Sequence, residues 1–397
     1  MIITTLYVIL VIVTLVLAVL AGVLLAEVLA GLSRPRTEPV ASGEMDRAAV
    51  ALIVPAHNEE SVIAPTLANL KEQLREGDRL VVVADNCTDN TAAMARQLGA
   101  IVLERTDEKR RGKGYALQHG LDYLKTDPPT TVVFVDADCV CAPGTIDQVA
   151  SVCEETGHPA QAMYLMDPAP DGGAKSAVSA FAWRFMNKTR MWGLQRLGGL
   201  TRVTGAGFAI PWPIARELAL GSGEIVEDLA LTVALAKKGE APQLVGNALI
   251  SSQFPSEDRA AALQHARWEH GSLRLAGVRA LPLFLRGVIG RNRQAAMLGL
   301  DIAAPPLALF VASLMVFGLI AIVFALFGKG LAFTLTLLAG LMFGTAIIVG
   351  WFKDGRDVLP VRMLGEVVPY VLAKTRVYNR DARKSTKTWT RTDRDGG

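Results

Sequence analysis

The chain has 397 residues, 51% of them apolar and 20% charged, with a formal charge of +3. This composition excludes a disordered chain, a collagen and a disulfide-stapled scaffold. The mean hydropathy of +0.32 is spread unevenly along the chain, which points to a few membrane spans beside an ordinary folded domain.

No residue from Met1 to Ala26 is charged, and Leu6 to Ala30 is nearly all Leu, Val, Ile and Ala, broken by Glu27. Such a run crosses a hydrocarbon layer about 30 Å thick. It lacks the basic start of a cleaved secretory leader and is too long for one, so residues 1–30 are expected to form a retained transmembrane helix. Residues 31–47 read as a polar, proline-containing linker.

Next, short β-type runs alternate with helical stretches. Ala49–Val54, Arg79–Ala84, Ala100–Leu103 and Thr131–Val135 read as strands. Glu59–Arg75, Thr88–Leu98 and Gly114–Leu124 read as helices. This alternation predicts βαβ units and a parallel sheet, in which ligands bind beyond the carboxyl ends of the strands. Those positions hold Pro55-Ala56-His57-Asn58-Glu59-Glu60, Asp85-Asn86-Cys87-Thr88-Asp89 and Asp136-Ala137-Asp138, with Arg111-Gly112-Lys113-Gly114 opening the third helix.

Asp136 and Asp138 leave a strand as alternate residues and can offer two hard oxygen donors to a divalent cation. Mg²⁺ and Mn²⁺ prefer carboxylates and phosphate oxygens. Lys113 between two glycines suits a backbone that approaches a phosphate closely. The segment is not a P-loop, and no Gly-x-Gly-x-x-Gly follows the first strand as in a dinucleotide fold. Cys139 and Cys141 have poor spacing for a zinc clamp.

In this order the four motifs resemble the nucleotide-sugar half of glycosyltransferase family 2. The resemblance implies a GT-A-like (Rossmann-like) α/β domain and a nucleoside diphosphate sugar donor, UDP by analogy, with Mg²⁺ or Mn²⁺ as cofactor. It places Pro55, Glu59, Asp85, Lys113 and Asp136 on the nucleotide and Asp138 on the metal. Residues 48–148 would form this half and residues 149–270 the acceptor-binding, catalytic half.

In that second half, Val203-Thr204-Gly205-Ala206-Gly207-Phe208-Ala209 is a small-residue loop, read equally well as a ligand approach or a tight turn. Glu224-Ile225-Val226-Glu227-Asp228 precedes a helix over 229–237, where acidic residues are favoured by the macrodipole alone. The family resemblance makes Asp228 the general base, with Glu227 beside it. Gln264, Arg267 and Trp268 stand at i, i+3 and i+4 and share one helix face. Gln-x-x-Arg-Trp resembles the membrane-embedded synthases of cellulose, hyaluronan and chitin type and the ceramide glucosyltransferases. That resemblance implies that Trp268 platforms the acceptor, Arg267 contacts the diphosphate, and Gln264 and Glu227 belong to the same acceptor and diphosphate region.

From Arg267 to Arg293 the arginines 267, 274, 279, 286, 291 and 293 face one acidic residue, Glu269, among Leu, Phe and Ile. A basic amphipathic stretch beside a span reads as an interface helix on anionic headgroups, assigned to residues 271–300. Uncharged runs from Ile302 to Gly328 and Gly330 to Phe352, split by Lys329, predict a transmembrane hairpin within 301–353. Residues 354–397 read as a second interface helix and a basic tail, where Trp389 is positioned to reach back over the nucleotide pocket. Arg34, Arg36, Lys353 and Arg356 mark the cytoplasmic side. The expected topology in a bacterial-type inner membrane is N-terminus outside, catalytic domain cytoplasmic, hairpin tip outside.

The expected function is inverting, metal-dependent sugar transfer to a membrane-associated acceptor, foremost a growing polysaccharide. A single addition to a lipid or lipid-linked acceptor is the alternative. A non-catalytic nucleotide-binding subunit of an export complex is the reading from another class. Expected partners are the nucleotide sugar, the lipid bilayer and a glycan or glycolipid acceptor, with export proteins possible and no nucleic acid.

Overall fold

The computed structural model describes residues 1–34, 47–169, 172–221, 226–254 and 258–374. Most of the linker, Glu224, Ile225 and the basic tail with Trp389 lie outside the described residues.

After α1 (Ile2–Ala30) the chain runs β1 (Val50–Ala56), α2 (Ile63–Lys71), β2 (Arg79–Asp85), α3 (Thr91–Gln97), β3 (Ile101–Arg105), α4 (Lys113–Leu124) and β4 (Thr131–Phe134). These four strands pair in parallel in the order β3-β2-β1-β4. Parallel strands are covered on both faces, which is why their sequences are continuously apolar. The two-residue alternation of a strand sends Leu52 and Val54 to a core with Leu67 and Leu70 of α2, and Ala51 and Ile53 to one with Leu117 and Leu121 of α4.

Two of the helices are shorter than the sequence predicts, for local polar reasons. The expected helix from Glu59 starts at Ile63, because Asn58 adopts φ +54° and the Glu59 N–H donates to Thr91 Oγ1 at 2.8 Å. The helix expected from Thr88 starts at Thr91, whose N–H and hydroxyl both donate to Asp89 Oδ1.

The second half contains β5 (Val140–Cys141), α5 (Thr145–Thr156), β6 (Ala160–Asp167), α6 (Gly173–Arg184), a π-helical turn at Phe185–Thr189, α7 (Arg190–Gly198), β7 (Phe208–Pro211), α8 (Trp212–Ala215), α9 (Glu227–Lys238) and β8 (Gln243–Gln253). It extends the sheet to β3-β2-β1-β4-β7-β6-β8-β5. Strand β7 runs antiparallel to both β4 and β6, so the complete sheet is mixed rather than wholly parallel. The fold is the GT-A-like α/β architecture expected from the sequence.

The chain continues through α10 (Asp258–Ile289), α11 (Arg293–Ala303), α12 (Leu307–Leu326), α13 (Leu331–Asp354), a 3₁₀ turn at Val361–Glu366 and α14 (Val367–Lys374). Helices α1, α12 and α13 are long and apolar enough to cross a membrane. The uncharged run from Ile302 begins inside α11 and breaks at Pro305-Pro306, so the helix long and apolar enough to cross starts at Leu307. The Lys329 ammonium in the hairpin turn lies 5.2 Å from the ring of Tyr7, whereas Arg34 beyond α1 pairs with Asp354 at the end of α13. The N-terminus and the hairpin tip therefore share one end of the three-helix group.

Candidate active site

Asp85 closes β2, Asp136 and Asp138 follow β4, and Lys113 opens α4. Gly112, with φ +132°, sets the turn that aims Lys113 inward. The Lys113 ammonium is ion-paired with Asp136 and donates to the Gly205 carbonyl at 2.7 Å. The sequence-predicted lysine and the small-residue loop thus meet. Burial pulls the Lys113 pKa down, but Asp136, Glu227 and Asp228 outweigh it and leave the pKa raised.

Glu227 and Asp228 form the first turn of α9. Burial, reinforced by Asp228 and opposed by Lys113, pushes the Glu227 carboxyl up to about 7. Burial also raises Asp228, against the pull of the Leu229 N–H, Lys113 and Arg202. The loop is fixed to α9 by Thr232, whose hydroxyl donates to the Asp228 carbonyl at 2.9 Å and accepts the Val203 N–H at 2.9 Å. Gln161, fully buried, clamps the same loop: its Oε1 accepts the Thr204 N–H and its Nε2 donates to the Ala206 carbonyl.

Gly205 carries φ +88°, and a Cβ there would stand 3.6 Å from Lys113 Nζ and 3.9 Å from Asp228 Oδ2. The steric fit is tolerable but the backbone is not, since left-handed geometry costs an L-residue about 1–2 kcal/mol. Gly205→Ala is expected to lose that much stability and to displace the carbonyl that anchors Lys113. Thermal unfolding and nucleotide affinity measured on the same sample would check it.

Two adjoining cavities are present. The smaller, about 180 Å³, is lined by Pro55, His57, Glu59, Asp85 and Ala116 among others. The larger, about 500 Å³, contains Tyr164, Trp183, Glu227, Asp228 and Trp268 and runs on to Val278 and Arg279. Gly112, Lys113, Asp136, Asp138, Gln264 and Arg267 line both. Every site residue singled out in the sequence therefore borders one cavity or the other.

Asp85 is held by Arg105, which donates to its Oδ1 at 2.6 Å, and the Asp85 carbonyl lies 2.6 Å from His57 Nδ1. Trp268 stacks obliquely on Trp183, centroids 5.2 Å apart. Trp183 in turn donates to the Tyr164 carbonyl at 3.0 Å, so Trp268 has a fixed back. Gln264 is buried between the cavities, with Oε1 lacking a hydrogen-bond partner among the described residues. Burial lowers the Arg267 pKa, against the pull of Glu227.

Asp136, Asp138 and Cys139 each present one donor atom, all within 4.8 Å of one another. The Cys139 thiol donates to Asp138 Oδ1 at 3.6 Å, burial raises its pKa well above the ordinary value, and sulfur is a soft donor poorly matched to a hard cation. What remains is a pair of carboxylates, the hard-oxygen set that fits Mg²⁺ or Mn²⁺ sharing a site with phosphate.

Sequence reasoning missed Arg105, Gln161, Tyr164, Trp183 and Thr232. Arg105 ends β3 and was open to discovery by the same strand-end rule that found Asp85. Gln161 and Trp183 carry no local signal.

A family profile described as "Glycosyltransferase like family 2" matches residues 47–271. The chain is 38% identical over 93 residues to 4,4'-diaponeurosporenoate glycosyltransferase of Staphylococcus aureus, covering 23% of this chain and 24% of that protein. It is 35% identical over 107 residues to an uncharacterized protein of Methanocaldococcus jannaschii, covering 27% of this chain and 42% of the other. The matches thus span less than half of either relative. Among solved structures, a mannosyltransferase of Pyrobaculum calidifontis in complex with GDP-Man and Mn²⁺ superposes with a TM-score of 0.50 and 18% identity, covering 87% of this chain and 99% of that one.

Proposed function

The chain belongs to glycosyltransferase family 2, and on that premise we propose that it transfers a sugar, with inversion, from a nucleoside diphosphate donor such as UDP-sugar to a membrane-associated acceptor. The observation that carries this reading is the junction of the two cavities at Lys113, Asp136 and Asp138. The smaller cavity would take the base and ribose beside Asp85, and the larger would take the sugar and acceptor between Asp228 and Trp268. The relative from Pyrobaculum calidifontis holds GDP-Man and Mn²⁺, in line with a nucleotide sugar and a divalent cation here.

An acceptor hydroxyl would attack the anomeric carbon from the side opposite the diphosphate. Its proton passes to an Asp228 carboxylate oxygen while the bond from the anomeric carbon to the diphosphate breaks, and the nucleoside diphosphate leaves with that electron pair. Arg267 and Lys113 supply positive charge to the departing phosphates. Asp138, with Asp136, would hold a Mg²⁺ or Mn²⁺ ion, whose chemistry is to neutralise charge on the diphosphate. Presence of all four carboxylates, Asp85, Asp136, Asp138 and Asp228, speaks against a purely nucleotide-binding subunit.

The Gln-x-x-Arg-Trp motif leans toward a polysaccharide acceptor. The apolar wall of the larger cavity at Leu275 and Val278 favours an acceptor carried on a lipid. The basic residues Arg34 and Lys188, gathered on Asp354 at the domain-side ends of α1 and α13, support a cytoplasmic catalytic domain.

Full-length protein incubated with a panel of nucleotide sugars, with Mn²⁺, Mg²⁺ or a chelator, tests the reading. Metal-dependent release of nucleoside diphosphate from one donor is expected, and indifference of every donor to the protein overturns it. The pH profile gives a second check. A base works ionised, and burial raises the Asp228 pKa, so the rate should rise with pH on an acid limb displaced upward from about 4, the ordinary aspartate value. A limb at the ordinary value would place the base in open solvent.

A further inference from the structure

Helix α10 leaves the active site at Trp268 and continues for some twenty residues past it. Its inner face, Leu275, Ala280 and Leu283, is buried against the core that includes α11. Its outer face should be polar if water covers it, yet Val278, Leu281, Leu285, Val288 and Ile289 are 47% to 82% exposed. These five residues follow a three- and four-residue spacing and so form a single stripe. From Val278 to Ile289 the stripe is about 16 Å long at the rise of an α-helix.

The stripe begins inside the larger cavity. Val278 lines that cavity together with Arg274, Leu275 and Arg279, while Lys113, Asp138 and Asp228 line its other end. Cations flank the stripe without acidic partners: among the described residues Arg274, Arg279 and Arg286 make no ion pair. Burial first, and the neighbouring charges of Arg279 and Arg286 second, depress the Lys237 pKa.

We propose that the acceptor is a lipid with a phosphate-bearing headgroup, which enters from the bilayer along α10. Its chain lies on the Val278 to Ile289 stripe, and its phosphate sits between Arg274 and Arg279. This inference rests on the sugar-transfer reading above and names its acceptor. Charge complementarity selects the occupant, since uncompensated guanidinium groups beside apolar surface suit an anionic amphiphile. Arg274 stands six residues beyond Trp268, about 9 Å along the helix, leaving room for a short polar head whose hydroxyl reaches Asp228.

The test uses the full chain in vesicles of total cell lipid and in vesicles of the same lipid stripped of its anionic fraction by ion exchange. Each is supplied with radiolabelled donors, and the product is partitioned between organic solvent and water. Label should enter the organic phase with complete lipid and not with stripped lipid. Arg274→Gln with Arg279→Gln should cut that incorporation at least tenfold, with nucleotide binding retained, and Arg274→Lys with Arg279→Lys should recover part of it. Donor consumption with all label in water, or equal incorporation in both vesicles or in the glutamine variant, overturns this inference and leaves sugar transfer standing. No donor consumption in any arm overturns both.

Discussion

Asp228→Asn is expected to reduce sugar transfer about 10²- to 10⁴-fold, the usual contribution of a positioned general base, while nucleotide affinity stays near that of the parent. The split follows from position. Asp228 lines the larger cavity and is absent from the smaller one, where the nucleotide would lie. The amide keeps the shape and can still accept the Leu229 N–H that Asp228 Oδ1 accepts at 2.7 Å. It cannot take a proton from the acceptor. Glu227 stands next in sequence with its carboxyl pushed up to about 7 by burial, so residual transfer through it fits the smaller of these losses. Initial rates and calorimetric nucleotide titration on the same preparation would separate the two quantities. Turnover equal to the parent would remove Asp228 from the chemistry, and a parallel loss of nucleotide affinity would reassign it to donor binding.

The first half of the site was legible because its logic is local. Strands β1, β2 and β4 each end in or just before a residue that lines a cavity, so locating them from apolar runs also located Pro55, Asp85 and Asp136. The acidic start of α9 and the i, i+3, i+4 set on α10 were legible for the same reason, as patterns within one helix. What the sequence hid depends on pairing across distance. Strands β5 to β8 join a mixed sheet through partners far along the chain, and Gln161 reaches a loop 43 to 46 residues away. Trp183, which backs Trp268, is 85 positions before it and on a different helix. Helix starts failed where a side chain offered the backbone a competing bond, as Asp89 does for Thr91.

Glu27 is the one charge inside the first apolar run, and its partner was invisible for the same reason. Arg190 of α7, fully buried, donates from Nε to Glu27 Oε2 at 2.7 Å and from Nη2 to Asp301 Oδ1 at 2.8 Å. Helix α1 is therefore tied to the catalytic domain and to α11 through one guanidinium. Close backbone approach fixes the geometry, since a Cβ on Gly193 would fall 1.8 Å from the Glu27 carbonyl oxygen. Removing this guanidinium leaves two buried carboxylates with Arg202, 3.5 Å from Asp301 Oδ2, as the remaining cation, and breaking such a cluster costs about 3–5 kcal/mol. Arg190→Met is expected to lose that much stability, and nucleotide binding with it at temperatures the parent tolerates, because α7 leads to the loop that carries Thr204 and Gly205. Replacing Glu27→Gln, Arg190→Met and Asp301→Asn together should recover part of the loss, since uncharged groups replace most of a buried ionic cluster while Arg202 gives up its pair with Asp301. Unfolding in detergent followed by tryptophan fluorescence would measure both variants. If the single variant unfolds with the parent, the guanidinium is not what joins α1 to the domain. If the triple variant is no better than the single, the loss arises from packing around Met186 and Gly193 rather than from stranded charge.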